Sequence, residues 1–188
     1  MRLIVGVTGA SGAALGYRLL EALRRQGCEL HLILTRGARE TIRLETGLSP
    51  ADFEALADFR YGEEEIAAPP ASGSFVTDGM VVCPCSMKTL SAVANGYAAN
   101  LLTRAADVCL KENRRVVLVP RETPLGKVHL RNLLAAADLG CAVVPPMLTF
   151  YNRPLTLEDQ LDHIVGKVLL QFGLTPDRFH PWEGDSAR

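Results

Sequence analysis

The chain has 188 residues, 48% of them hydrophobic and 22% charged, which is enough for one α/β domain with a sizeable core. Its net charge of −1, with no basic stretch interleaved with aromatics, argues against a nucleic-acid binder, and no apolar run approaches the length of a membrane span. The opening Met1-Arg2-Leu3 enters a strand without the pattern of a signal peptide, so the expected location is cytoplasmic.

Leu3-Ile4-Val5 predicts a first strand over 2–7 that ends in Gly6-Val7-Thr8-Gly9-Ala10-Ser11-Gly12-Ala13. Leu15, Leu19, Leu20 and Leu23 then predict a helix over 12–26. A strand, a tight glycine turn and a helix start form an anion site, because the first N–H groups of a helix have no partner within it. A phosphate is expected there. The glycines are spaced G-x-x-G-x-x-G and no Lys-Ser/Thr follows, so neither the dinucleotide fingerprint nor a Walker A loop is matched. The second strand, 29–35, ends at Thr35-Arg36 where an NAD site wants an acidic residue. Arg36 leaves NADP open, while a mononucleotide such as FMN needs no second ribose partner and fits better.

Helices are expected over 37–46 and 50–58, then a loop over the sheet at the Pro/Gly-rich Ala67–Gly73. A third strand over 79–83 runs into Cys83-Pro84-Cys85-Ser86-Met87-Lys88-Thr89, where Ser86 is placed as an N-cap and Thr89 adds a second hydroxyl. Ordinary capping explains these residues as well as an anion or carbonyl grip does. Helices over 87–95 and 101–112 precede the apolar strand 115–120, which delivers Arg121-Glu122-Thr123-Pro124 into a loop stiffened by prolines. Arg121 can fork onto phosphate oxygens and Glu122 can exchange protons. A helix over 126–138, a strand over 141–144, a long loop with Tyr151-Asn152-Arg153-Pro154 and a helix over 157–172 follow. The tail from about 174 is polar and is expected to be loosely held or to pack on a neighbouring subunit.

Strands alternating with helices predict a single-domain, doubly wound parallel sheet of the Rossmann or flavodoxin-like kind, with helices on both faces. Ligands of such sheets bind beyond the carboxyl ends of the strands, where the four polar clusters fall. Read alone, Glu45 is an exposed helix carboxylate, Lys111 complements a helix dipole and Lys167 snorkels at the edge of an apolar stripe. His129 and His163 show no partners and read as structural. Five cysteines without a C-x-x-C pair read as reduced core residues, and Cys83-Pro84-Cys85 lacks a nearby His or second Cys pair at metal-ligand spacing.

Taken in order, Thr8-Gly9-Ala10-Ser11-Gly12, Pro69-Pro70-Ala71-Ser72-Gly73-Ser74, Cys85-Ser86-Met87-Lys88-Thr89-Leu90, Arg104-Ala105-Ala106-Asp107-Val108, Leu118-Val119-Pro120-Arg121-Glu122 and Phe150-Tyr151-Asn152 resemble the UbiX-like flavin prenyltransferases. The resemblance spans nearly the whole chain and is nearest to the branch associated with phenolic or hydroxyarylic acid decarboxylases. It implies transfer of a dimethylallyl group from dimethylallyl phosphate to N5 and C6 of reduced FMN, without a metal, giving prenylated FMN for a UbiD-like decarboxylase. It also implies that Gly9, Ala10, Ser11, Thr35, Ser86, Met87, Lys88, Thr89 and Arg121 hold FMN. Arg104, Lys111, Arg121, Tyr151 and Lys167 would surround the donor phosphate, some of them supplied by a neighbouring subunit of a homododecamer. Glu122, Ser11 and Glu45 would handle protons.

Two departures stand out. Glu65-Ile66-Ala67 replaces the stretch where some members carry Trp, and His129-Leu130-Arg131-Asn132 replaces His-Leu-Glu-Asn. An FMN-dependent cysteine decarboxylase would share the fold, but its Pro-Ala-Ser-Ala-Asn-Thr stretch is absent. A flavin-binding carrier without chemistry would lack Glu122, Lys111 and Tyr151, and all three are present.

Overall fold

Apolar residues alternate along the strand segments, and the alternation sorts them onto two faces of one sheet. The computed structural model describes residues 1–182 and 184. Six parallel strands, β1 (Arg2–Val7), β2 (Glu29–Leu34), β3 (Phe59–Gly62), β4 (Gly79–Cys85), β5 (Arg115–Pro120) and β6 (Ala142–Val143), make up the sheet. Among the described residues it is flanked by α1 (Ala13–Arg25), α2 (Arg36–Glu45), α3 (Pro50–Glu54), α4 (Met87–Ala94), α5 (Leu101–Lys111), α6 (Lys127–Asp138) and α7 (Leu157–Leu170).

Leu3, Val5 and Val7 of β1 and Leu30, Leu32 and Leu34 of β2 point into a core shared with α1 and α7, which also takes Ile42 and Phe53 from α2 and α3. Ile4, Ile33, Met80 and Val82 point the other way, against Leu90, Leu101, Leu102 and Ala105 of α4 and α5. Each fully buried leucine stabilises the fold by about 1.5–3 kcal/mol. Gly6 belongs to the second face, where a Cβ would come within 2.8 Å of Leu102 Cδ1. On the first face Arg18 of α1 pairs with Asp162 of α7 at 2.7 Å.

Strand order is β3-β2-β1-β4-β5-β6, so the winding reverses between β1 and β4. That reversal opens a crevice at the carboxyl ends of those two strands. Doubly wound architecture is therefore present as expected, with one more strand than the sequence reading places. β3 is missed because it is a four-residue edge strand, Phe-Arg-Tyr-Gly, too short and too polar to show a period. The helix expected over 50–58 ends at Glu54 because Asp58 is already committed to β2, its N–H donating to the Leu30 carbonyl and its carboxylate accepting from the Leu30 N–H.

The segment 67–73 forms a 3-10 turn at Pro69–Ala71 and packs on α5, where Arg104 donates to the Ala71 carbonyl. It does not lie loosely over the sheet. Over 174–182 the tail contacts its own chain: Arg25 pairs with Asp177, Gln26 donates to the Thr175 carbonyl, and Phe179 stacks on His163. Residues 183 and 185–188 of that tail lie outside the described residues. No helix among the described residues is long and apolar enough to cross a membrane.

Candidate functional site

The crevice is pinned shut at its base by one threonine. Thr8, 2% exposed, donates its hydroxyl to the Pro84 carbonyl at 2.7 Å and accepts the Ser86 N–H at 2.8 Å. The turn after β1 is thereby tied to the end of β4. Beside it the turn meets the start of α2 so closely that a Cβ at Gly9 would lie 3.0 Å from backbone atoms of Gly37. Gly12 has φ +112°, a left-handed conformation that glycine adopts without strain. These contacts explain the turn's glycines by geometry.

Where a phosphate is expected at the start of α1, the structure places a carboxylate. Glu45 Oε2 accepts from the Gly12 N–H at 2.7 Å and the Ala13 N–H at 3.1 Å. Read alone as a solvated carboxylate, Glu45 is in fact the cap of α1. Partial burial pushes its pKa up, but hydrogen bonds from Ser11, Gly12 and Ala13 and the charge of Arg121 more than offset this and lower it. The group is thus held ionised, and it orients or accepts in place of donating.

A depressed folded pKa adds stability that is complete above the unfolded value of about 4.3 and is lost as pH falls through the folded value. Wild-type protein is therefore expected to lose more melting temperature between about pH 6 and pH 3 than Glu45→Gln does. Calorimetry on the pair checks it, and equal losses would disprove the coupling.

At the β4 end, Ser86 caps α4 by accepting the Thr89 N–H at 3.3 Å, and its hydroxyl donates to Thr89 Oγ1 at 3.1 Å. The Met87 and Lys88 N–H groups of that first turn have no partner within the helix. Thr35 likewise caps α2 by accepting the Ala38 N–H at 3.1 Å. Lys88 and Thr89 border a cavity of 480 Å³ with Asn100 and Thr103.

Arg121 follows β5, its N–H donating to the Cys85 carbonyl and its Nε to the Ser11 carbonyl at 3.2 Å. It borders two cavities, one of 290 Å³ with Ser11, Gly12 and Pro84, the other of 240 Å³ with Met87, Glu122 and Leu125. Glu122 lies in the second, accepting the Thr123 N–H at 2.9 Å. Gly9, Ala10, Ser11, Thr35, Ser86 to Thr89, Arg121 and Glu122 thus gather along the carboxyl edge of β1, β2, β4 and β5.

Four other residues do not join them. Arg104 pairs with Asp107 at 2.6 Å, and Lys111, at the far end of α5, pairs with Glu112 at 2.5 Å. Tyr151 Oη lies 3.0 Å from His163 Nε2, and Lys167 on α7 sits over Phe179 at 5.3 Å. α5 and α7 pack on opposite faces of the sheet. One chain therefore presents these cations as two separate groups.

Sequence reading missed Thr8, whose role appears only when two strand ends meet. It also missed Glu63, which accepts the Arg36 N–H and the Asn100 Nδ2 amide, each at 2.7 Å, and so links the starts of α2 and α5. His129, read as structural, has a partner: its Nδ1 accepts the Gly126 N–H at the start of α6. The five cysteines are free and buried, and burial with neighbouring Cys141 pushes the Cys85 thiol up to about 12. Among the described residues no three His, Cys, Asp or Glu side chains cluster for a metal.

A doubly wound sheet with helix starts, hydroxyls and an arginine along one carboxyl edge defines a nucleotide-type binding protein. A family model described as Flavoprotein matches residues 1–168. The chain is 60% identical over 185 residues to a protein of Sedimentibacter hydroxybenzoicus named probable UbiX-like flavin prenyltransferase, the match covering 98% of both. Among solved structures, a dodecameric FMN-dependent UbiX-like decarboxylase from Escherichia coli O157:H7 superposes with TM-score 0.96 at 54% identity, over 98% of this chain and 100% of that one. AnUbiX in complex with FMN and dimethylallyl pyrophosphate gives TM-score 0.96 at 47% identity over 97% of each chain. The chain belongs to the flavoprotein family, among its UbiX-like flavin prenyltransferases.

Proposed function

We propose that the protein transfers a dimethylallyl group from dimethylallyl phosphate to N5 and C6 of reduced FMN. The observation that carries the reading is the gathering of Ser11, Ser86, Thr89, Arg121 and Glu122 at the switch point of the sheet. With the start of α1 already capped by Glu45, the flavin's phosphate falls to the hydroxyls of Thr35, Ser86 and Thr89 and the N–H groups opening α4. Gly9 and Ala10 leave room for its backbone-side approach, and Arg121 stands between the two cavities. The flavin, when bound, supplies the electron-rich atoms that receive the allyl carbons.

In the transfer the allylic C–O bond breaks and inorganic phosphate leaves with the electron pair. Cations stabilise that developing charge, the task of Arg104, Lys111 and Lys167 with the Tyr151 hydroxyl. Because one chain divides these residues between opposite faces, they are brought together between subunits of a homododecamer. Glu122 takes or returns a proton at the flavin ring, while ionised Glu45 holds Ser11 and the start of α1 in place. The product, prenylated FMN, passes to a UbiD-like decarboxylase.

The test is anaerobic incubation with reduced FMN and dimethylallyl phosphate or diphosphate, followed by mass spectrometry of the released flavin. A flavin heavier by one five-carbon unit is expected. Unmodified FMN with both donors would overturn the assignment in favour of a carrier or a cysteine decarboxylase.

A further inference from the structure

The two donor-phosphate groups on the α7 side share one support. Tyr151 Oη lies 3.0 Å from His163 Nε2, and the two rings meet edge to face at 5.4 Å. Phe179 stacks on the imidazole at 4.9 Å and also underlies the Lys167 ammonium at 5.3 Å. A side chain at Gly166 would overlap the Phe179 ring, so the glycine is what lets that ring seat. Although His163 borders a cavity of 430 Å³, the residue is 2% exposed and its Nδ1 is buried with no hydrogen-bond partner among the described residues.

That orphaned nitrogen decides the tautomer. Burial, and then the charge of Lys167, lower the pKa of His163, so the ring is neutral at pH 7 and carries a single N–H. Placing the hydrogen on Nδ1 would bury an unsatisfied donor, which native structures avoid more strictly than an unused acceptor. The hydrogen therefore sits on Nε2 and is donated to Tyr151 Oη. With its oxygen already accepting from His163, the phenol keeps its own O–H for an outside acceptor.

We propose that His163 is a positioning residue that commits the Tyr151 hydroxyl hydrogen to a phosphate oxygen of the prenyl donor. The proposal rests on the donor's placement at Tyr151 and Lys167. The test compares steady-state kinetics of wild type, His163→Leu, His163→Gln, Tyr151→Phe and the His163→Leu/Tyr151→Phe double variant, with FMN affinity measured alongside. Leucine at 163 is expected to raise KM for dimethylallyl phosphate about tenfold, with kcat at saturating donor and FMN affinity within about twofold of wild type.

Glutamine, whose amide N–H can replace the Nε2 donor, is expected to restore KM to within about threefold of wild type, and the double variant to be no worse than Tyr151→Phe. A wild-type KM in His163→Leu beside an impaired Tyr151→Phe overturns the positioning role alone. Wild-type KM in both overturns the donor's placement and the role with it. A glutamine variant as impaired as leucine overturns the hydrogen-bond assignment.

Discussion

Glu122→Gln is expected to bind FMN as wild type does and to slow prenyl transfer by about 10²–10⁴-fold, the range that a positioned acid or base supplies. The separation follows from geometry. Glu122 Oε1 accepts the Thr123 N–H at 2.9 Å, and a glutamine carbonyl can accept the same bond, so the loop after β5 keeps its shape. Arg121 continues to donate to Ser11, and the cavity with Met87 and Leu125 keeps its volume. What glutamine lacks is the capacity to take and release a proton. Single-turnover kinetics under anaerobic conditions, with flavin affinity measured separately, distinguishes the two effects. Turnover within about twofold of wild type would remove Glu122 from proton handling, because a base that matters contributes far more than that.

Much of the architecture is legible in the chain because the sheet is buried on both faces. Its strands read as apolar runs, and the helices between them show their stripes. β3 escapes because its pairing with β2 is decided by Asp58 and Leu30, two residues 28 apart that no local pattern connects. The site is legible in parts. Ser86 and Thr35 sit in standard capping positions, and the Arg121-Glu122 pair stands out because it ends an apolar strand.

Glu45 is the opposite case. In sequence it is one carboxylate on a polar helix, and its role as the cap of α1 exists only because Gly9 and Gly37 allow that turn and α2 to approach so closely. The same logic moves the expected phosphate from the first helix start to the starts of α2 and α4. His163 also reads as a bland core residue until the long loop brings Tyr151 onto it. Sequence shows which groups are available, and nonlocal closure decides which of them are already spent on the protein itself.

Thr8 carries the largest structural effect expected of a single hydroxyl here. In Thr8→Val the shape is nearly unchanged, and the Pro84 carbonyl keeps the Thr8 N–H at 3.3 Å. The Ser86 N–H, however, loses its acceptor at Thr8 Oγ1 in a part-buried setting. Leaving such a donor unpaired costs about 1–3 kcal/mol, which for a chain of this size lowers the melting temperature by about 2–12 °C. Because Ser86 is also the cap of α4, its displacement moves the hydroxyls and N–H groups assigned to the flavin's phosphate.

FMN affinity is accordingly expected to fall by about tenfold, equivalent to about 1.4 kcal/mol. Thr8→Ser keeps the hydroxyl and is expected to recover most of both losses. Thermal melts and fluorescence titration of FMN on the three proteins measure them together. A Thr8→Val protein that melts early yet binds FMN with wild-type affinity would show that the pin between β1 and β4 supports the fold without shaping the site. A parallel loss in both would mean that the bond closing the switch point is also the one that sets the phosphate-binding end of α4.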